Sequence, residues 1–352
     1  MTDLARAYGR RIAALLWLLV AIWAIGLVLA PLATMIGHSA WTVETRSMEA
    51  GLAIDRLYDD LAALRWDWER TTDPEKRVDL DRRIRMLSER ARLLERHDAE
   101  PNVVYGLDNY ARLSSLHARV LLRSLGWALL ATALSLVVCY PVAWAVARAP
   151  TRTRAAVLVS GLLVPFALAE LLRIQAWAMI LDPRGLVAAT LAGLGLFDPA
   201  TAGGAPLFGH QGSVFVAMVY THVLFMVLPI LATLQTLDPH QVEAARDLGA
   251  STLRLHLRVV LPHARPGLAV GSILTFMLAA GSYAVPQIMT RGQGGDWFAQ
   301  LVWRRFFEAA DWNVGAAYGT TLLVACLVVV FALARLFRVR FGDLARRGGR
   351  HA

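Results

Sequence analysis

Six apolar stretches divide the chain, and each is long enough to cross a bilayer as a helix. A hydrocarbon core of about 30 Å needs about 20 mostly apolar residues in helical conformation. The stretches cover roughly residues 12–36, 120–147, 155–181, 214–237, 268–289 and 316–336. This pattern predicts an all-α integral membrane protein with six transmembrane helices.

The segment between the first two stretches has a different pattern. From Met48 to Trp68, and again from Pro74 to His97, apolar residues recur at a spacing of three to five among many charged side chains. Asp73 followed by Pro74 is typical of a helix start. Residues 37–118 are therefore predicted to form an amphipathic helical hairpin outside the cytoplasm. It is either an insertion that packs on the outer face or a docking surface for an extracytoplasmic partner.

The arginine distribution predicts the orientation of the spans, because positive residues concentrate in cytoplasmic loops. With the N-terminus inside, the inner segments carry sixteen arginines and the two short outer loops carry four. The inner ones are Arg6, Arg10, Arg11, Arg148, Arg152, Arg154, Arg246, Arg254, Arg258, Arg265, Arg335, Arg338, Arg340, Arg346, Arg347 and Arg350; the outer ones are Arg184, Arg291, Arg304 and Arg305. Both termini are therefore expected in the cytoplasm.

This orientation gives a domain plan. Residues 1–36 form a cytoplasmic N-terminus and the first span, and residues 119–340 form a core of five helices. Within that core, residues 238–266 form a cytoplasmic loop, and residues 341–352 form a basic cytoplasmic tail. The first stretch resembles a signal peptide in its basic start, but it is longer than the apolar core of about 7–15 residues that such peptides have. A retained anchor is favoured.

Composition excludes several other classes of protein. The chain is 57% hydrophobic and 18% charged, with a mean hydropathy of +0.47, whereas soluble domains are about a quarter charged. A disordered chain, a disulfide scaffold and an ordinary soluble enzyme are excluded. The net charge of +9 is explained by the loop arginines, so no nucleic-acid partner is expected. Cys139 and Cys326 lie in apolar runs and are interpreted as packing residues.

No motif for catalysis is present in the sequence. It contains no phosphate-binding loop, no cluster of metal ligands at a usable spacing and no nucleophile elbow. We therefore expect the chain not to be an enzyme and to hold no cofactor or metal. Glu170 and Arg173 lie inside the third stretch, where ionisable residues are costly and often functional. They either pair with each other at this spacing or take part in a solute pathway.

The loop between the fourth and fifth stretches is the most informative part of the chain. Asp238 is a helix cap and Pro239 suits a first helical turn. Ala245 and Gly249 are four residues apart, so on one helix they would share a face with little side-chain bulk. Such a face can enter a groove on another protein. Gly249 would cost about 1 kcal/mol of helix stability relative to Ala, and Pro262 is expected to end the segment before the next span.

These residues carry a resemblance to a known family. Glu243-Ala244-Ala245, Gly249 four residues later, and Val259-x-Leu261-Pro262 are similar to the coupling-loop motif of ABC importer permeases, with Val259 where Ile is more usual. Residues 140–144, 164–166, 173–177 and 220–231 resemble permeases of the spermidine/putrescine type. The resemblance covers residues 124–336 and leaves out the charged hairpin.

The resemblance implies an assembly in the bacterial inner membrane. Such a chain is one of two transmembrane subunits, paired with a homologous permease, and whether the pair is homo- or heterodimeric stays open. Two cytoplasmic ATPase subunits use ATP, and a periplasmic binding protein delivers the solute. Glu243, Ala244, Ala245 and Gly249 would lie in a coupling helix held by an ATPase, with Leu261 and Pro262 closing the motif.

The resemblance also suggests a polyamine as the solute. Glu170, Arg173, Trp177 and Tyr283 are the candidate pathway residues, because a carboxylate and aromatic faces attract a cation. Phosphonate, ferric iron, sulfate and thiamine are alternative solutes. Two other classes stay open: a secondary transporter, which would need internal repeats with matching broken helices that the sequence does not suggest, and a membrane-anchored signalling protein whose charged hairpin is the output module.

Overall fold

The computed structural model describes residues 9–44, 48–71, 73–99, 102–195, 209–291 and 297–338. Contacts divide the chain into two units, residues 1–112 and residues 113–352. The predicted basic tail over residues 341–352 lies outside the described residues, and so does the start of the N-terminal segment, residues 1–8.

The first unit contains a long apolar helix, a small sheet and a helical hairpin. Its elements are α1 (Arg10–Trp23), a π-helical segment (Ala24–Leu29), α2 (Ala30–Ser39), β1 (Trp41–Glu44), α3 (Met48–Arg70), α4 (Pro74–Ala99), β2 (Asn102–Tyr105) and α5 (Asp108–Ala111). The helix from Arg11 to Ser39 is continuous, and its apolar side chains are almost all exposed. A helix of this kind suits a lipid environment.

A two-stranded antiparallel sheet joins the ends of the hairpin. Trp41 lies opposite Tyr105 and Glu44 lies opposite Asn102. The buried Asn109 donates hydrogen bonds from Nδ2 to the carbonyl oxygens of Ser39 (3.0 Å) and Trp41 (2.8 Å). This sheet was not predicted from the sequence, because strands of four residues carry too short an alternating pattern to be recognised.

The hairpin itself consists of α3, with 23 residues, and α4, with 26 residues. The Asp73 carboxylate accepts a hydrogen bond from the Glu75 N–H at 3.2 Å, and Pro74 is the first residue of α4. Leu61 and Ala91 are buried, whereas the charged side chains are mainly exposed. The placement of this hairpin outside the cytoplasm stays a prediction.

The second unit is helical throughout its described residues. Its elements are α6 (Ser115–Ala147), α7 (Arg152–Leu163), a 3₁₀ turn (Val164–Ala167), α8 (Glu170–Leu181), α9 (Leu186–Gly193), α10 (Gln211–Thr221), α11 (Val223–Leu234), α12 (Pro239–Asp247), α13 (Thr252–Leu255), a π-helical turn (His256–Val260), α14 (Leu261–Ala280), α15 (Ala284–Met289), α16 (Phe298–Phe307) and α17 (Trp312–Leu336).

Six crossings of the membrane are available in the described residues. Four unbroken helices are long and apolar enough, namely Arg11–Ser39, Ser115–Ala147, Thr252–Ala280 and Trp312–Leu336. Two further crossings are bent pairs: Arg152–Ala167 with Glu170–Gly193, at 97°, and Gln211–Thr221 with Val223–Leu234, at 46°. The predicted helical membrane protein with six spans is confirmed when each bent pair counts as one crossing.

The two bends have different local causes. In the third span, Pro165 cannot donate to the preceding turn, and the backbone then becomes extended at Leu168 (ψ 145°) and Ala169 (ψ 146°). In the fourth span the helix is interrupted at His222 (φ −103°, ψ 6°), where neither glycine nor proline marks the position. Neither break was predicted from the sequence, because each apolar stretch was interpreted as one straight helix.

Close backbone contact holds α11 against α14. A Cβ atom added at Gly267 would collide with the Pro229 carbonyl oxygen and the Thr233 hydroxyl, and one added at Gly271 would lie 3.0 Å from the Met226 carbonyl oxygen. Small residues allow membrane helices to approach this closely. The fourth and fifth spans therefore pack directly against each other next to the loop that joins them.

Candidate functional site

The loop between the fourth and fifth spans begins with a short capped helix, as the sequence predicts. The Asp238 carboxylate accepts a hydrogen bond from the His240 N–H at 3.0 Å, and Pro239 is the first residue of α12. Val242 is the buried residue of this helix, 6% exposed. It belongs to an apolar cluster with Leu237 and Leu255, which anchors α12 to the membrane helices.

Gly249 lies after the end of α12 and not within that helix, so its predicted position on a helical face was wrong. The helix α12 ends at Asp247, so Gly249 does not share a helical face with Ala245. It has a left-handed conformation with φ of 72°. Its N–H donates to the Arg246 carbonyl at 2.8 Å, and the Ala250 N–H donates to the Ala245 carbonyl at 3.0 Å. This pair of hydrogen bonds is the Schellman arrangement that ends a helix, and it favours glycine because only glycine adopts that backbone without strain.

The surface of α12 and its end is exposed. Glu243, Ala244 and Gly249 are all exposed, and Ala245 is half-buried. Leu248, at the end of this helix, is 88% exposed. A Cβ added at Gly249 would meet no atom of the chain within 4 Å, so the surroundings of this glycine are open. The Glu243 carboxylate lies 3.2 Å from His240 Nδ1.

The second half of the loop leads directly into the fifth span. The Ser251 hydroxyl accepts a hydrogen bond from the Arg254 N–H at 3.4 Å and caps α13. The helix then continues without interruption from Thr252 to Ala280. Leu261 and Pro262 begin α14 and do not end the segment, so that prediction was wrong. Proline is tolerated there because the first-turn N–H groups need no intrahelical acceptor.

The two helices joined by this loop, α11 and α14, contact each other where the loop begins and ends. His263 Nε2, at the start of α14, lies 3.1 Å from the Thr233 carbonyl oxygen of α11 and 3.1 Å from the Thr236 hydroxyl. Val260 is fully buried in the same apolar cluster as Val242. The loop is therefore a compact helical element with fixed ends, and its exposed surface is suited to binding another protein.

The four candidate pathway residues do not form one cluster of contacts. Glu170 is exposed and is the first residue of α8, directly after the bend. Arg173 is 8% exposed and its guanidinium lies 4.0 Å from the centre of the Phe166 ring. Among the described residues no ion pair within 4.0 Å joins Glu170 and Arg173. The interpretation of these two residues as an ion pair is therefore wrong for this structure.

Trp177 and Tyr283 make separate aromatic contacts. Trp177 meets Tyr220 edge to face, with ring centres 5.4 Å apart. Tyr283 stacks on Trp303 at 4.8 Å, and Trp303 in turn stacks on Phe307 at 5.3 Å. Trp177 and Tyr283 thus each belong to an aromatic pair or stack, and aromatic faces of this kind can bind a cation.

Two buried polar residues were missed or misread from sequence. Arg173 Nε and Nη1 and His222 Nδ1 are buried without a hydrogen-bond partner. His222 is interior, 4% exposed, and its Nδ1 nitrogen is the unpaired atom. Arg173 was a candidate from sequence, whereas only knowledge of the break at His222 would have singled out that residue.

Comparison with known proteins identifies similar permeases. The family model "Binding-protein-dependent transport system inner membrane component" matches residues 141–342. The spermidine/putrescine transport system permease protein PotB of Salmonella typhimurium (strain SL1344) is 34% identical over 257 residues, which cover 72% of this chain and 88% of that protein. The inner membrane ABC transporter permease protein YdcU of Escherichia coli (strain K12) is 31% identical over 219 residues, covering 60% of this chain and 69% of YdcU.

A solved structure is also similar. It is a crystal structure of a bacterial ABC transporter involved in the import of the acidic polysaccharide alginate, with a TM-score of 0.49 and 17% sequence identity. The alignment covers 67% of this chain and 84% of that one.

Proposed function

The chain belongs to the family of binding-protein-dependent transport system inner membrane components, and from this premise we propose that it carries polyamines as a permease subunit of an ATP-driven importer. It is a multi-pass inner-membrane component of an ABC system that works with a solute-binding protein. The observation that carries the solute class is the 34% identity over 88% of a permease named for spermidine and putrescine. The 31% identity to YdcU supports the transporter class.

The assembly that we propose contains four membrane-associated subunits. This chain pairs with a second, homologous permease, and two cytoplasmic ATPase subunits bind and hydrolyse ATP. Both termini and the loop over residues 238–266 then face the cytoplasm, in agreement with the arginine distribution. The chain itself has no catalytic role and binds no cofactor. A periplasmic binding protein delivers the solute to the opposite face.

Helix α12 is the proposed contact with an ATPase subunit. Glu243, Ala244, Ala245 and Gly249 lie on or at the end of this helix, and Leu248 exposes an apolar side chain that a partner would cover. Leu261 and Pro262 begin the fifth span and connect it to the loop. A short helix with fixed ends transmits a displacement that a flexible loop would absorb.

Glu170 and the aromatic pairs are the proposed solute contacts. The carboxylate of Glu170 is exposed at the bend of the third span, and Trp177 and Tyr283 offer aromatic faces. A polyamine carries several positive charges, so it is attracted both by the carboxylate and by the negative faces of the rings. Arg173 is buried and lies against the Phe166 ring.

Transport itself tests the proposal. We expect proteoliposomes that contain the complete transporter, with the binding protein outside and ATP inside, to accumulate labelled spermidine and to be inhibited by vanadate. Excess putrescine should compete, and excess thiamine, sulfate or phosphonate should not. Uptake that needs an ion gradient and ignores vanadate would contradict an ATP-driven importer, and competition by thiamine without competition by putrescine would contradict the polyamine assignment.

Replacing Glu170 with Gln is expected to weaken spermidine uptake roughly tenfold, the size of one lost interaction with a charged group. The change keeps the shape of the side chain and removes its charge. Initial rates at several spermidine concentrations measure the effect, and the yield of purified complex measures assembly. The control is Glu308→Gln, which removes an exposed carboxylate after α16. An equal loss of uptake and assembly would favour a structural role for Glu170.

A further inference from the structure

A groove of about 510 Å³ lies between α6 and the segment that follows α12. Its walls include Tyr140, Pro141 and Trp144 from α6, and Leu253, His256 and Leu257 from the opposite side. Pro141, Leu253 and Leu257 are exposed, and the lining is almost entirely apolar. Leu253, His256 and Leu257 lie within the loop over residues 238–266, but none of the six residues is among the proposed ATPase or solute contacts.

The polar atoms at the floor of the groove already bind each other. The π-helical turn over His256–Val260 directs the His256 ring towards α6, where its Nδ1 lies 2.7 Å from the Tyr140 hydroxyl. The same ring meets Trp144 edge to face at 4.8 Å. Because this pair is formed and the rest of the lining is mainly apolar, the remaining space is suited to an apolar occupant. Helical turns of the π type are frequent at functional sites.

A positive charge lies at the edge of the groove. The guanidinium of Arg148, the residue that follows α6, lies 5.0 Å from the centre of the Trp144 ring. Its Nη2 atom is buried and has no hydrogen-bond partner. A guanidinium presents paired N–H donors whose geometry matches a phosphate group. Arg254 and Arg258 are exposed on the segment that forms the other wall, so the residues around the groove carry further positive charge.

The depth of the groove agrees with the boundary of a bilayer. Helix α6 has 33 residues, about 50 Å at 1.5 Å per residue, and therefore extends beyond a hydrocarbon core of about 30 Å. Trp144 and Tyr140 lie three and seven residues before its end at Ala147, or about 5 and 10 Å along the axis. Trp and Tyr are enriched at this depth, next to the lipid head groups.

We propose that this groove binds an anionic phospholipid, with an acyl chain against Leu253 and Leu257 and the phosphate at Arg148. The positive charge of the arginines would attract an anionic head group. The mainly apolar lining of the groove would accommodate the acyl chain. One wall belongs to the second span and the other to the segment that connects α12 to the fifth span, so the bound lipid would lie between these two membrane segments. The inference requires only that α6 crosses the membrane and does not depend on the solute.

Lipid retention by the purified transporter tests the phosphate contact. The complete complex is washed and then incubated with micelles that contain equal amounts of phosphatidylglycerol and phosphatidylcholine, and bound lipid is counted by native mass spectrometry. We expect Arg148→Gln to lower bound phosphatidylglycerol roughly tenfold, as expected for one charge-assisted contact. Arg152→Gln removes an exposed arginine at the start of α7 and should leave retention unchanged. Equal retention in both variants would overturn the proposal.

Crosslinking identifies the occupant. A photoreactive amino acid replaces Leu257 in cells that express the whole complex, and the same residue at the exposed Leu158 of α7 is the control for general contact with lipid. We expect a phospholipid adduct at position 257 that keeps its anionic head group, with more phosphatidylglycerol than the adduct at position 158. An adduct with the ATPase or with a permease subunit, or a lipid adduct without this enrichment, would overturn the proposal. Neither experiment measures transport, so their failure differs from a failure of the polyamine proposal.

Discussion

Uptake is expected to fall to background when Glu243 is replaced by Arg, although the protein stays folded and in the membrane. Glu243 is exposed on α12, and its described contact is with His240 at 3.2 Å. Reversing an exposed charge costs little inside the free chain, so a large loss must come from a partner that meets this surface. The measurements are ATP-driven uptake in proteoliposomes and the amount of ATPase subunits that copurifies with the permease.

The control for this variant removes the contact inside the chain. His240→Ala deletes the partner of Glu243 but keeps the carboxylate, so uptake should remain near normal. If His240→Ala lowers uptake as much as Glu243→Arg does, the contact within α12 matters and the proposed ATPase contact is not needed. Normal uptake by Glu243→Arg would argue strongly against α12 as the coupling element.

Gly249→Asp should abolish uptake as well. Such a loss can arise from added bulk at the proposed partner contact or from strain in the left-handed backbone, and two further variants distinguish these causes. A Cβ meets no atom of the chain within 4 Å at this position, and Asp and Asn tolerate the left-handed backbone better than other residues do. Gly249→Asn therefore keeps the helix end and adds only bulk, whereas Gly249→Val also strains the backbone. We expect both to lose uptake, because the proposed partner approaches closely.

Gly195 provides a matched control for these glycine variants. It follows α9 with φ of 68° and also has nothing within 4 Å, but it lies in a predicted outer loop. Gly195→Asp should retain uptake. If Gly249→Asn transports normally while Gly249→Val does not, the glycine serves only the local turn. The open space around it would then have no partner to explain it.

Replacing Gly267 with Ala is expected to destabilise the membrane core severely. The added methyl group would overlap the Pro229 carbonyl oxygen and the Thr233 hydroxyl, and a backbone atom cannot move aside as a flexible side chain can. Overpacking a well-packed core typically costs about 1–3 kcal/mol, and contact with backbone places this change at the upper end. Thermal unfolding in detergent and the yield of monodisperse protein measure the effect.

Gly126 supplies the comparison for this substitution. It lies inside α6, and a Cβ there meets nothing within 4 Å. Gly126→Ala should therefore be neutral or slightly stabilising, since alanine is the better helix former. If Gly267→Ala unfolds at the same temperature as the unchanged protein, α11 and α14 are not packed as closely as described.

Sequence alone predicted the number of spans and located the loop that is proposed to couple to ATP hydrolysis. Both predictions succeed because the length of an apolar stretch and the Asp238–Pro239 helix start are local properties of the sequence. Gly249 shows where this reasoning fails. A spacing of four residues suggests one helical face only if the helix continues, and here the Schellman hydrogen bonds end it two residues earlier.

The pathway residues show a second kind of failure. Glu170 and Arg173 have the spacing of a helical ion pair, but the bend before Glu170 fixes the direction of α8. Across this bend Arg173 lies against Phe166, and Glu170 is left on the surface. The π-helical turn that brings His256 to Tyr140 also depends on contacts between distant segments. No periodicity in the sequence carries that information.

The contact of His263 with Thr233 and Thr236 has a mechanical consequence. It fastens the end of the fourth span to the beginning of the fifth, next to the place where Gly267 brings their backbones together. If α12 contacts an ATPase subunit as proposed, these contacts oppose the separation of the two spans, and we expect the spans to tilt together. Movement of the proposed ATPase subunits would then act on both spans together. The two spans would rotate about their contacts with the other membrane helices.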